Sequence, residues 1–293
     1  MKKHIIILMI FAICFGGGLL FAQDFQLIYN DGTVELQKGG GWSILYAGDM
    51  VPENSVIRVG RGGIAEFSNP GTTLLFSKPG TYRLESQAGQ NRNEQVAAVS
   101  SVFGRIARMG GDGERGQSQA MGVRGSEAVE DIGFEWVEED SMSYDEALSA
   151  FQSQDYVLAA DILENEVDPL ALDDESAYWY YLAASYYESG KKGPALHTAR
   201  SHDPDAYSEV YAEFLLLKGR LALESMDFEG AAQQFEKYTE SANSPARKQM
   251  GNYLFGYALV QMGESTRARN VLQEAVRIDA DSEVTALARE LLQ

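Results

Sequence analysis

The spacing of small and apolar residues divides this chain into two regimes. In the second half Ala159, Ala195, Ala231 and Ala268 recur at intervals of 36, 36 and 37 residues. Each has Tyr156, Lys192, Phe228 or Ser265 three positions before it, and Leu163, Phe235 or Leu272 four after it, with Ala199 the smaller exception. Self-similarity at a fixed period of this size predicts stacked helical hairpins, none of which can bury its apolar face alone. Within the second unit Trp179, Leu182, Ala183 and Tyr186 fall at i, i+3, i+4 and i+7, one stripe of a helix. Gly190 then marks the turn between the two helices of that unit. The third unit keeps Gly219, Phe228, Ala231 and Phe235, and the fourth keeps Gly256, Gly263, Ala268, Leu272 and Ala275. The first, around 143–167, keeps only Ala147, Tyr156, Ala159 and Leu163. Val284, Leu287, Ala288 and Leu291 predict a closing helix over 282–292.

The first half follows a shorter rhythm. Apolar runs at 25–29 and 33–36 flank Asn30-Asp31-Gly32, which predicts a β-hairpin. Further β-prone runs lie at 42–45, 56–59, 64–67, 73–76 and 82–84, punctuated by glycine and proline. Pro70-Gly71-Thr72 and Pro79-Gly80-Thr81 echo one another, each a turn that launches a strand. Residues 23–138 are therefore expected to form an all-β domain, a roll, a sandwich or a short β-solenoid, with a polar glycine-rich loop near 110–119. Helical signal is expected only after Asp140, and 139–293 is expected to be an all-α solenoid. The chain thus divides into two domains.

Both halves resemble known families. Trp179-x-x-Leu182-Ala183-x-x-Tyr186 reproduces the first-helix pattern of the tetratricopeptide repeat, with Ala where Gly is usual. The spacing exceeds the usual ~34 residues, which predicts slightly longer linkers between units. This resemblance implies a binding groove lined by first-helix positions. These are Tyr144, Leu148 and Phe151, then Tyr180, Ala184 and Tyr187, then Leu216, Arg220 and Leu223, then Tyr253, Tyr257 and Val260. Tyr180, Tyr187, Arg220, Tyr253 and Tyr257 are the candidate partner contacts, since tyrosine offers apolar area with a polar handle and arginine reads a carboxylate. The alternative for the tyrosines is packing between repeats, with hydroxyls pointing to water. The β-half resembles the FecR-like domain of bacterial envelope proteins. The matching residues are Gly48-Asp49, Gly60-Arg61-Gly62-Gly63-Ile64-Ala65-Glu66-Phe67, Pro70-Gly71-Thr72 and Gly122-Val123-Arg124-Gly125-Ser126-Glu127. In the last motif Ser126 replaces the usual Thr. Gly122, Val123, Arg124 and Gly125 are read as a structural motif, the arginine fork tying backbone carbonyls of adjacent strands.

The amino terminus bears on compartment. Lys2 and Lys3 precede an apolar run broken by Gly16–Gly18 and ending in Leu20-Phe21-Ala22, the layout of a signal peptide over 1–22 cleaved after Ala22. The alternative is an uncleaved membrane anchor. Cys14, the only cysteine, falls inside this run, so neither disulfides nor thiol chemistry are expected after cleavage. An exported protein of the periplasm or cell envelope is expected. The net charge of −19 lies mostly in the solenoid, where residues 143–293 carry 26 acidic and 12 basic side chains. Such a surface repels phosphate backbones, so nucleic acid is not expected as a partner, and membrane contact is expected only through an uncleaved leader.

No catalytic constellation emerges. His197 and His202 are five apart, not the i, i+4 of a helical metal pair, and neither a nucleophile elbow nor a Walker loop is present. Gly60-x-Gly62-Gly63 precedes a strand, so it lacks the helix N-terminus of a phosphate cradle. Neither catalytic residues, metal nor cofactor is expected. The expected function is a non-enzymatic envelope scaffold or adaptor holding a protein or peptide in the repeat groove. The alternatives are a peptidoglycan binder using Trp42, Tyr46 or Tyr82, and an anchored signalling component.

Overall fold

A computed structural model describes residues 24–88, Phe103 and 137–293, with side chains in the last segment from Ser143. The first segment forms two four-stranded antiparallel sheets. One has the order β4-β1-β6-β7, from β1 (Phe25–Asp31), β4 (Met50–Val51), β6 (Ile64–Asn69) and β7 (Thr72–Phe76). The other runs β3-β2-β5-β8, from β2 (Val34–Lys38), β3 (Gly41–Ile44), β5 (Val56–Val59) and β8 (Gly80–Arg83). Phe25, Leu27, Phe67, Leu74 and Phe76 from the first sheet meet Val34, Leu36, Ile57 and Val59 from the second in one buried cluster, which makes the pair a β-sandwich. A short helix, α1 (Leu84–Ala88), plugs one end with Leu84, so helix begins earlier in the chain than its pattern predicts.

The expected hairpin at Asn30-Asp31-Gly32 does not form. β1 pairs with β4 and β6, whereas β2 pairs with β3 and β5, so this turn hands the chain from one sheet to the other. The reason lies in burial: Phe25 and Leu27 must fill the core from one side and Val34 and Leu36 from the other, and a hairpin would lay all four in one sheet. Gly32, at φ 73°, supplies the left-handed bend either way. The two Pro-Gly-Thr turns also diverge. Pro70-Gly71 closes a hairpin in which Asn69 faces Thr72, while Pro79 leads into β8 in the opposite sheet.

The second segment stacks helix pairs: α2 (Val137–Gln152) with α3 (Tyr156–Glu166), α4 (Glu175–Glu188) with α5 (Lys192–Ser201), α6 (Tyr211–Glu224) with α7 (Phe228–Ser241), and α8 (Pro245–Gln261) with α9 (Ser265–Ile278). α10 (Glu283–Leu291) closes the stack, capped by Ser282 and burying Val284, Leu287 and Ala288. Within every pair the turn holds one residue at positive φ: Gln154, Gly190, Met226 and Gly263. These repeat at the same 36, 36 and 37 spacing as the four alanines, which are all at most 1% exposed. Facing positions trade volume. A Cβ on Gly219 would lie 2.4 Å from the Phe235 ring, and one on Gly256 would lie 2.6 Å from Leu272. The extra length per unit does not go uniformly into linkers. It widens the connections before α4 and α6, but the link before α8 is only residues 242–244, and there α8 itself is longer at 17 residues.

The sandwich docks on the solenoid through α5. Ile64 and Leu75 join the buried cluster of the first two helix pairs, alongside Ala195, Leu196 and Ala199. The Tyr29 ring lies so close to Gly193 that a Cβ there would come within 2.4 Å of it. Ser77 Oγ donates to Ser225 Oγ at 2.9 Å, Lys78 pairs with Asp227 at 2.9 Å, and His197 Nδ1 sits 3.0 Å from Asp31.

Candidate functional site: the inner face of the solenoid

The first helices of consecutive units touch, α2 with α4 and α4 with α6, which places them on the inner side of the stack. At its start an open cleft of about 1090 Å³ is walled by Tyr144, Leu148, Trp179 and Tyr181. Among the described residues six carboxylates, including Asp173, Asp174 and Glu209, and no lysine or arginine line this cleft. Tyr144 and Leu148 are the first-unit equivalents of Tyr180 and Ala184, 36 residues on. Tyr144 and Leu148 thus bring two first-helix groove positions to the cleft, and most of its remaining lining comes from the connections before α4 and α6.

Farther along, Arg220 forms the centre of a second feature. Its guanidinium carbon lies 4.5 Å from the Tyr187 ring centroid and 4.7 Å from that of Phe103, which comes from outside the repeats. Phe103 is 6% exposed and belongs to the buried cluster that holds Ala222, Leu223, Tyr253 and Tyr257. Arg220 Nε, buried, is 3.6 Å from Glu224 Oε1, too far for a hydrogen bond, and has no hydrogen-bond partner among the described residues. Glu224 is 3% exposed and uses both oxygens: Oε1 accepts from the Tyr187 hydroxyl, and Oε2 accepts from Lys192 Nζ at 2.5 Å. Burial, reinforced by the Glu224 charge, pushes the Tyr187 hydroxyl well above the ordinary tyrosine range despite Arg220, so it remains a donor.

Behind this cluster lies Glu66 of β6, 1% exposed. Its Oε2 accepts from the Gly193 backbone N–H at 2.7 Å, at the start of α5, where the N-cap residue Lys191 offers no side-chain cap. The β-sandwich thus supplies the acceptor that this helix end lacks. Burial raises the Glu66 pKa, against the lowering effect of the Gly193 hydrogen bond and Lys192, and its other oxygen has no hydrogen-bond partner among the described residues.

The five candidate contacts do not share one pocket. Tyr187 and Arg220 stack together; Tyr253 and Tyr257 belong to the same buried cluster as Phe103; Tyr180 packs edge-on against Tyr181 and Phe214 at 5.0 and 6.1 Å. Burial also pushes Tyr180 and Tyr257 up. Tyr187 and Tyr253 are largely covered, at 8% and 2% exposure. Lys192 is marked in the sequence only as the residue three before Ala195, Glu224 follows Arg220 by one turn of α6, and Phe103, which carries no repeat signal, is brought to them by packing alone.

Other candidates find local roles. Gly122, Val123, Arg124 and Gly125 lie outside the described residues, as do the leader and Cys14. His202 stacks on Trp179 with ring centroids 3.5 Å apart, and its Nδ1 lies 3.1 Å from the Thr198 carbonyl oxygen, while His197 faces Asp31. Among the described residues no group of three or more His, Cys, Asp or Glu is placed to hold a metal, and no helix is long and apolar enough to cross a membrane. Of the aromatics considered for sugar stacking, Trp42 is covered by the Arg58 guanidinium at 4.3 Å and the Tyr82 ring packs on Phe76 at 4.7 Å, leaving Tyr46 67% exposed.

No protein-family model matches the chain, and no curated protein matches it. Among solved structures it is similar to MamA of AMB-1, at 16% identity over 52% of this chain and 80% of that one, with a TM-score of 0.43. MamA of MSR-1 gives 16% identity over 52% and 84%, with a TM-score of 0.42. A thermophilic TPR protein of Thermus thermophilus gives 17% identity over 52% and 80%, with a TM-score of 0.34.

Proposed function

We propose that this protein is a non-enzymatic scaffold of the bacterial cell envelope, exported by its leader, whose repeat solenoid holds a segment of a partner protein. The observation that carries this reading is the cleft of about 1090 Å³ on the inner face, open and rimmed by six carboxylates. Its aromatic walls supply contact area, and its charge selects a cationic segment over an anionic one. From there the partner runs along the first helices, with Tyr180, Tyr187, Arg220, Tyr253 and Tyr257 as the inner-face residues. The β-sandwich, FecR-like in its glycine motifs, holds the solenoid in place within the envelope assembly. The absence of a catalytic arrangement in the sequence agrees with a binding role, as does the acidic solenoid with a protein rather than nucleic-acid partner.

The test is crosslinking in the native envelope followed by mass spectrometry, comparing the full chain with the double variant Asp173→Lys/Glu209→Lys. Both residues are exposed on the cleft, so the fold is kept. Partners should be captured by the wild type and lost with the charge reversal. Recovery of the same partners in equal yield by both proteins would overturn the cleft as their site.

A further inference from the structure

Phe103 belongs to neither the sandwich strands nor the repeats, yet it is buried in the same cluster as the inner-face residues Leu223, Tyr253 and Tyr257. Its ring is 6% exposed and meets the Arg220 guanidinium at 4.7 Å. The sequence around it, Ala97-Ala98-Val99-Ser100-Ser101-Val102-Phe103-Gly104-Arg105-Ile106-Ala107-Arg108-Met109, has two arginines and no acid. Residues 143–293, by contrast, carry 26 acidic and 12 basic side chains. The phenylalanine suits the aromatic-and-arginine pocket, and the flanking arginines suit the acidic excess of the solenoid as a whole.

We infer that the Arg220 pocket is a receptor for a phenylalanine side chain on a short basic segment, and that Phe103 is its tenant from the same chain. This rests on the scaffold reading above and names the partner class for one point of the same face. Arg220 is 26% exposed, and its guanidinium carbon lies over both the Tyr187 and the Phe103 rings, at 4.5 and 4.7 Å from their centroids. An aliphatic tenant would lose that cation–π contact. A tethered ligand also acts at an effective concentration on the order of millimolar. An outside segment must therefore displace Phe103 before it binds, and its apparent affinity falls by the fraction of molecules in which the pocket is vacant.

The experiment uses the full chain and a fluorescein-labelled peptide of residues 97–109, read by fluorescence anisotropy. The Phe103→Ala protein should bind the peptide, and the wild type should bind it about tenfold or more weakly because its pocket is filled. Phe103→Ala/Arg220→Ala, and the peptide with its phenylalanine replaced by alanine, should both lose binding. Equal binding by wild type and Phe103→Ala, or indifference to the peptide's phenylalanine, would overturn the inference. A second readout avoids removing the ring: 4-fluorophenylalanine placed at position 103 of the intact chain. Excess peptide should move its ¹⁹F resonance to that of a solvent-exposed ring, and an unmoved resonance at saturation counts against displacement. Partner capture at the acidic cleft is scored separately. If it persists while the peptide fails, the pocket falls and the scaffold stands; if it fails while the peptide binds, the reverse holds.

Discussion

At the scale of single residues, two positions carry costs that their neighbours in the repeat avoid. The inter-helix turn uses glycine at Gly190 and Gly263, but Gln154 and Met226 take the same left-handed conformation at φ 64° and 63°. A side chain there costs roughly 1–2 kcal/mol, while glycine's extra chain entropy costs roughly 0.5–1 kcal/mol. Gln154→Gly, at an exposed site, should therefore stabilise by about 0.5 kcal/mol, and Gly263→Ala should destabilise by about 1 kcal/mol. Urea midpoints of the two variants should move in opposite directions. Glu224 is the other such position. Its carboxylate holds Lys192 and the Tyr187 hydroxyl in a buried site beside Arg220, so Glu224→Ala leaves two cations without their counter-charge. A loss of about 1.5–3 kcal/mol is expected, that of hydrogen bonds to a charged group, since Lys192 and Arg220 keep 27% and 26% of their side-chain surface in water. A urea midpoint within error of wild type would mean that the cations had found water.

At the scale of elements, each helix pair is set by volume traded across its crossing. In the second pair Ala183 and Ala199 occupy positions that in the third are Gly219 and Phe235, and in the fourth Gly256 and Leu272. A methyl at 219 would push into the Phe235 ring, and overpacking of this kind costs roughly 1–3 kcal/mol. Gly219→Ala should destabilise by that amount, and Phe235→Leu should recover part of the loss in the double variant. The coupling is read from a double-mutant cycle of unfolding free energies, and simple additivity would show that the two positions do not meet as described. The helix ends tell a similar story. Asp155 and Asp227 cap α3 and α7 with their own side chains, whereas α5 borrows Glu66 from a strand 127 residues away.

At the scale of the whole molecule, that borrowed cap ties the two domains together. Gly193 has space for a hydrogen and nothing more against Tyr29, so Gly193→Val should separate the sandwich from the solenoid. Small-angle scattering should then report a larger radius of gyration, and an unchanged radius would refute the contact. The docking also carries a pH dependence. Folding raises the Glu66 pKa above its ordinary 4.5 by burial, with Lys192 of α5 opposing and Glu224 of α6 adding to the effect. The native state therefore binds this proton more tightly than the unfolded chain. Its contribution is full below 4.5 and lost as pH rises through the raised value. Glu66→Gln keeps an acceptor for the Gly193 N–H while removing the titration. Its stability relative to wild type should rise with pH between about 4 and 8, as measured by urea midpoints along that range. A constant difference would show that Glu66 titrates as an ordinary carboxylate.

What the sequence by itself determined is the repeat. The recurrence of Ala159, Ala195, Ala231 and Ala268 reads directly as helix pairs, because a residue that must be small where two helices cross leaves its mark at every crossing. The strand positions are also legible, since glycine and proline punctuate them locally. Their pairing is not. Asn30-Asp31-Gly32 codes for a bend, but which sheet receives β2 depends on how two apolar faces share one core, a relation between residues far apart in the chain. The same holds at the candidate site. Tyr187 and Arg220 are marked by repeat position and Glu224 follows Arg220 by one helical turn, yet the Tyr187 hydroxyl on Glu224, Phe103 against Arg220 and Glu66 behind them are brought there by tertiary packing alone. A periodic constraint is written into the chain once per turn of the structure; a single long-range contact is written nowhere but in the fold.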